Sequence, residues 1–467
     1  MHNCNTLPPL ALSLDHWKLE KVTLLQRLCA GIVVLLVSGC ASYGVIENKP
    51  MQVPADDRGY SVETFMEEWR TDENALMLAF SGGGTRAAAL SYGVLKELRD
   101  TPVVSGQDTI RLLDEIHTIS SVSGGSFTSA YYGLHGDGIF DDYEEVFLRK
   151  NVEGALFRRV LNPFSWFGST SRTEMAVGYY DKNIFNGATY ADMHKQDGPL
   201  ILINATDLAN GVRFSFVQEY FNLLCSDLSS FPVSRAVTAS SAVPVLFPPV
   251  VVENYPECGE EDPDWLKVAQ TRAASDEQID ILVDGVEKYL DRDKHRYAHF
   301  VDGGITDNLG LRAIYEITEV SGGGSTFIEK HQRQPPRRIV MIAVDASTEG
   351  DTDMYRSDKI PSIGETVGAM TNVQLHRYNA ATIELMRNYI NSWAQAMSTP
   401  ETPVTPYFIL LNFEDIQDSE RLEYFNQIPT SFHLEDEQVD RLIEVGGELL
   451  RNNPEFRRLL SDLDANQ

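Results

Sequence analysis

Cations are scarce in this chain. It has 39 lysines and arginines against 68 aspartates and glutamates in 467 residues, a formal charge of −29, and a pI of about 4.7. That balance excludes nucleic acid as a partner, since binding it needs a basic face. It also excludes simple electrostatic adhesion to anionic lipid, because the overall field is repulsive. No apolar run approaches the roughly 20 residues of a membrane-spanning helix. There are five cysteines and no clustered His and Cys ligands, so no metal is expected and no cofactor is implied. A phosphate loop of the Gly-x-x-x-x-Gly-Lys-Ser/Thr type is missing, as are internal repeats and low-complexity blocks. What the chain does have is bulk. At 43% hydrophobic and 10% aromatic it can bury a large core, as one large or two ordinary domains.

The N-terminus reads as separate from the fold. Lys18, Lys21 and Arg27 precede an apolar run from Leu28 to Val37, which ends in Ser38-Gly39-Cys40-Ala41-Ser42. That run has the length of a signal-peptide core. Val37-Ser38-Gly39-Cys40 resembles the lipobox of bacterial lipoproteins. The resemblance implies a signal peptide over residues 1–39 and a lipidated Cys40 as the first mature residue. Ala41 is similar to the residue after the cysteine in lipoproteins sorted to the outer membrane. Several acyl chains on Cys40 would give stable anchoring, where one alone is marginal. Export leaves Cys225 and Cys258 as the remaining pair. In an oxidising compartment they could form a disulfide or stay as two buried thiols.

Apolar runs then alternate with helical patterns. Residues 40–70, with Pro50 and Pro54, read as a tether. Ala75 to Phe80 reads as a strand, followed by Gly82-Gly83-Gly84 and a helix with Leu90, Val94 and Leu98 four apart. Ile116 to Ile119, Leu200 to Ile203 and Ile339 to Val344 are further strands. The alternation predicts an α/β layer fold with a mostly parallel sheet. An acidic insert spans about 250–298. It carries a helix with Ile279, Leu282, Val283, Val286 and Leu290 on one face, and a capping box is expected at Ser275 and Gln278. The region 347–467 is predicted to be mainly helical, with a strand at Tyr407 to Leu411, and to pack on the domain of residues 71–346. Trp166, Phe167 and the insert helix are candidates for an interfacial surface or lid, with core packing as the alternative.

Three pieces carry chemistry. Phe80-Ser81-Gly82-Gly83-Gly84-Thr85-Arg86 places three glycines between a strand and a helix. Their N–H groups are uncovered at the positive end of the helix, which suits a phosphate or an oxyanion. Arg86 opposes the helix dipole in the first turn, so it should either fix the loop or meet substrate phosphate. The second piece is Ser120-Ser121-Val122-Ser123-Gly124-Gly125-Ser126, a strand-to-helix turn that would expose a serine hydroxyl. Of its four serines, Ser123 alone has a glycine two residues on and a small residue, Ser121, two residues back. The third piece is Asp302-Gly303-Gly304, an aspartate at a strand end.

In order and context these motifs resemble the patatin-like phospholipase family. The run Ala239-Ser240-Ser241-Ala242-Val243-Pro244, continuing to Pro248-Pro249, echoes another family segment. The resemblance covers about residues 75–310 and implies a three-layer patatin-like fold. It further implies a Ser-Asp dyad, with Ser123 as nucleophile and Asp302 as general base. The oxyanion hole would come from Gly82, Gly83, Gly84 and Gly124, with Arg86 in support. The implied activity is cleavage of acyl esters of lipids or phospholipids through an acyl-enzyme, at a membrane reached through lipidated Cys40. Two rivals stand beside it. One is a Ser–Asp–His triad using His331, His376 or His433. The other is an outer-membrane lipoprotein that acts as a non-catalytic binding or assembly module.

Overall fold

A computed structural model of the chain describes residues 43–464, except 52–58, 68–72, 106–107, 156–170, 196–197, 245, 257–262, 324–325, 327–328, 330–333, 350–357 and 359. Cys40, Cys258, Trp166, Phe167 and His331 therefore lie outside the described residues, as does the segment read as a signal peptide. From Gly44 onward the chain forms one compact unit.

Its centre is an eight-stranded mixed sheet. In chain order the strands are β1 (Asn74–Phe80), β2 (Ile116–Val122), β3 (Leu200–Asp207), β4 (Val212–Ser215), β5 (Val250–Glu253), β6 (Tyr297–Asp302), β7 (Arg338–Val344) and β8 (Thr405–Leu411). Their spatial order is β8-β7-β1-β2-β3-β6-β5, with β4 also paired to β3. The first five in that order are parallel, while β6 runs antiparallel to both β3 and β5. Strands β1, β3 and β7 are buried along their whole length. This is why they read as continuous apolar runs rather than alternating ones.

Helices cover the sheet. Those used below are α1 (Gly84–Asp100), α2 (Gly124–His135), α3 (Val233–Ser240), α4 (Asp264–Ala273), α5 (Glu277–Val286), α6 (Leu311–Val320), α7 (Ile363–Met397), α8 (Asp436–Asn452) and α9 (Pro454–Asp464). The parallel sheet and its helices match the expected α/β class. The C-terminal region is largely helical, yet it also supplies the edge strand β8, in register with β7 from Arg338↔Thr405 to Val344↔Leu411. Helix α8 packs closely on α1. A Cβ on Gly93 would lie 2.2 Å from the Ile443 carbonyl oxygen, so the two helices touch backbone to backbone.

Two expectations are corrected. The stretch read as a tether is docked where it is described. Asn48 Nδ2 donates to the Glu253 carbonyl (2.8 Å) and Tyr60, almost fully buried, accepts the Ile201 N–H (2.7 Å). Pro50 tolerates pairing because its two-residue strand makes few demands on backbone N–H groups. The insert helix α5 is capped by Asp276, not Ser275; the Asp276 carboxylate accepts the N–H groups of Gln278 and Ile279. Its Ile279, Leu282, Val283 and Val286 are buried, as are Leu266 and Ala269 of α4. The apolar face of α5 is thus core, and it is not a free lid surface.

Candidate active site

The chain leaves β2 through Ser123, whose backbone takes φ 51° and ψ −119°. A non-glycine residue held there costs about 1–3 kcal/mol and persists only when its surroundings fix it. Two contacts do so. The Ser123 N–H donates to Ser240 Oγ (2.9 Å), and the Gly125 N–H donates to the Ser81 carbonyl (3.2 Å). A side chain at Gly124 is impossible, since its Cβ would lie 2.0 Å from the Gly84 carbonyl oxygen. The elbow and the glycine loop are therefore in backbone contact.

The neighbouring serines are spoken for. Ser120 Oγ donates to the Gly310 carbonyl (2.5 Å), Ser121 Oγ to the Leu202 carbonyl (3.2 Å) and Ser126 Oγ to Ser121 Oγ (3.2 Å). All three residues are fully buried, whereas Ser123 keeps slight exposure. Ser121 occupies a position where a glycine is usual, and it fits because its hydroxyl also accepts from Ser129 Oγ (2.6 Å). A deeper network supports the strand ends. Asn204 Nδ2 donates to Ser120 Oγ (3.0 Å), and its Oδ1 accepts from Arg213 Nη1 (3.1 Å). Arg213 is itself buried and paired with Glu316 (Nε to Oε2, 2.8 Å).

Asp302 ends β6 beside this elbow. Its Oδ1 accepts the Gly304 N–H (2.8 Å), and the Ser123 hydroxyl lies close enough to the carboxyl to favour its ionised form. Burial pushes the carboxyl up to about 6, against the lowering effect of those two donors. No histidine among the described residues bonds either group. His376 faces Asp345, and His433 Nε2 lies 3.9 Å from Glu435.

The glycine loop differs from expectation in one donor. The Gly82 N–H donates to the Asn308 carbonyl (2.9 Å), so it is not available to a substrate oxygen. Among the described residues, no acceptor engages the N–H groups of Gly83, Gly84 and Gly124. Gly84, at φ 62°, is pressed from the other side; a Cβ there would lie 2.5 Å from the Ser431 carbonyl oxygen. The same carbonyl accepts the Thr85 N–H (2.9 Å).

Arg86 is buried within the protein. Its Nε donates to the Ala346 carbonyl (2.8 Å), Nη1 to the Ile428 carbonyl (2.5 Å) and Nη2 to Thr430 Oγ1 (3.0 Å). All three of these guanidinium nitrogens are thus engaged by the protein's own acceptors, two of them in the C-terminal region. Burial lowers its pKa to about 10, with Asp345 acting in the opposite direction. Sequence reasoning missed Asn308 and residues 428–431. Both act through carbonyl or short polar groups that carry no motif. Cys225 is disulfide-bonded. Among the described residues no group of three or more His, Cys, Asp or Glu side chains could hold a metal.

A serine on a strained turn, a carboxyl beside it and a loop whose amides meet no acceptor among the described residues make up the layout of an ester hydrolase. The chain belongs to the patatin-like phospholipase family, whose model matches residues 78–315, and it is a lipid-hydrolysing esterase. Among solved structures it is similar to human GIVD cytosolic phospholipase A2. That match has 12% identity and a TM-score of 0.45, covering 91% of this chain and 69% of that one. The same enzyme in complex with methyl gamma-linolenyl fluorophosphonate gives 15% identity and a TM-score of 0.39, covering 90% and 70%. VipD from Legionella pneumophila gives 11% identity and a TM-score of 0.31, covering 92% and 72%. No curated protein matches the chain.

Proposed function

We propose that the protein cleaves acyl ester bonds of lipids or phospholipids through a Ser123–Asp302 dyad and an acyl-enzyme. The observation that supports this reading is that the Ser123 turn at the end of β2 and the buried Asp302 at the end of β6 come together, with the Ser123 hydroxyl near enough to hold the carboxyl's pKa down. Ser123 Oγ attacks the ester carbonyl carbon while Asp302 takes its proton. The developing oxyanion is met by the free N–H groups of Gly83, Gly84 and Gly124. Collapse breaks the ester C–O bond, and Asp302 returns the proton to the leaving alcohol. Water then attacks the acyl-enzyme by the same route and releases the fatty acid. A carboxyl pushed up to about 6 is a better base than an ordinary aspartate and is still ionised at neutral pH.

The lipobox-like Val37-Ser38-Gly39-Cys40 supports a place at the membrane through a lipidated Cys40, in a bacterial outer membrane. Mass spectrometry of the mature N-terminus tests this, and an unmodified Cys40 in membrane-derived protein would refute it. The catalytic reading is tested by fatty-acid release from a panel of defined phospholipids, lysophospholipids and simple esters. Release by the wild type that vanishes in both Ser123→Ala and Asp302→Asn is expected. Release that persists in either variant would contradict the dyad.

A further inference from the structure

Strands β2 and β6, which deliver Ser123 and Asp302, are not neighbours, because β3 lies between them. The sheet ladder alone therefore leaves the spacing of the two side chains to their turns. What crosses the gap is the C-terminal end of α3. Ser240, fully buried, donates its hydroxyl proton to the Asn204 carbonyl (2.6 Å). With that proton committed, a lone pair is left to accept the Ser123 N–H (2.9 Å). The Ser240 carbonyl accepts the Gly303 N–H (3.1 Å), and the Ala242 carbonyl accepts the Asp302 N–H (3.0 Å). Two residues, Ser240 and Ala242, thus grip the nucleophile turn and the aspartate turn together.

The grip has a firm base. Arg235, five residues before Ser240 and also fully buried, bonds Glu47 (Nε to Oε2, 2.6 Å) and Glu174 (Nη2 to Oε2, 2.7 Å). The Ser240 hydroxyl is the only side-chain group in this bridge that touches the Ser123 backbone. Losing it would leave a buried N–H unpaired on a turn already held in a costly conformation.

We propose that Ser240 is a positioning residue for ester cleavage. Its hydroxyl fixes the Ser123 elbow and its carbonyl fixes the Asp302 turn, so that Ser123 Oγ stays within reach of the carboxylate. This rests on the dyad reading above. It also gives a physical role to the serine of the Ala239-Ser240-Ser241 run.

The test compares Ser240→Ala, Ser240→Thr, Ser240→Cys and Ser241→Ala on p-nitrophenyl butyrate, with a fluorophosphonate as label. Ser240→Ala should lower kcat by about ten- to hundredfold with KM unchanged, the scale of a small misplacement in a catalytic pair. The acid limb of its kcat–pH profile should move to higher pH, because the nearby Ser123 hydroxyl is one of the groups that hold the Asp302 carboxyl down. Ser240→Thr keeps the acceptor and should recover most of the rate. Ser240→Cys keeps the volume with a poor acceptor and should stay impaired, which also reads the effect if the alanine variant fails to fold. Ser241 Oγ donates within its own helix, to the Val237 carbonyl (2.7 Å), so Ser241→Ala should match the wild type. A wild-type kcat in Ser240→Ala or Ser240→Cys would overturn the proposal. So would a loss equal in Ser240→Thr and Ser240→Ala with the acid limb unmoved, since that is a packing defect. Active Asp302→Asn would sink the dyad itself. Inactive Asp302→Asn beside fully active Ser240→Ala would sink only the positioning role.

Discussion

The region matched by the family model and the C-terminal region stand in different relations to the site. Residues 78–315 contribute every group that meets the reacting atoms in the proposed reaction: Ser123, Asp302 and the free amides of the glycine loop. Residues 347–464 contribute none of them, yet they set the shape of that loop. Ser431 meets Gly84 and Thr85, and Ile428 and Thr430 hold Arg86. The C-terminal region also adds β8 to the sheet and α8 to α1. The lesson is that a site can be chemically complete in one stretch of chain and geometrically complete only with another.

The sharpest way to separate chemistry from shape is at the dyad. Ser123→Ala and Asp302→Asn should each lower kcat by about 10³-fold or more, since members of a catalytic unit fail together. Both proteins should keep a wild-type far-UV circular dichroism spectrum. Asp302→Asn should also be more stable than wild type at pH 8. The sign follows from the carboxyl being pushed up to about 6 in the folded protein. The stability it contributes is complete below its unfolded value of about 3.9 and is lost as pH rises through 6. The pH dependence of activity runs the other way. A base must be ionised, so kcat/KM should fall as pH drops below about 6.

Next comes the hinge between the two regions. Arg86→Met removes three hydrogen bonds and leaves the Ile428 and Ala346 carbonyls without them. It should lower the thermal midpoint by several degrees, about 2–4 kcal/mol, and reduce kcat far more than it raises KM. If KM rose alone, Arg86 would be reading substrate after all. The smallest effect is expected for Thr430→Ala, about 1 kcal/mol for one lost side-chain bond. Combined with Arg86→Met it should add almost nothing, because both act on one contact. Full additivity in the double-mutant cycle would show that the C-terminal region does not work through Arg86.

The same division explains what could be read from the sequence. The strands at Ala75 to Phe80, Leu200 to Ile203 and Ile339 to Val344 were legible because buried parallel strands leave unbroken apolar runs. Ser123 was legible because a sharp turn demands small residues around it. Arg86 was legible as an anomaly in the first turn of a helix, but its partners were not. They are carbonyls and a threonine about 260 to 344 residues away in sequence, and a carbonyl has no side-chain signature. Gly82 was grouped with its neighbours for the same reason, since only the fold brings the Asn308 carbonyl to its N–H. Ser121 was legible only as a small residue, and the three hydroxyl and carbonyl partners that hold it were not. The docking of residues 44–51 was hidden by a polar, proline-containing composition that reads as a linker whether or not it packs.

The central claim is that Ser123, activated by Asp302, is the nucleophile. Mapping a fluorophosphonate label by peptide mass spectrometry tests it most directly. One modified peptide is expected, carrying the label on Ser123, with a labelling rate in Asp302→Asn at least about a hundredfold slower. A label on another serine, or an undiminished rate in Asp302→Asn, would contradict it.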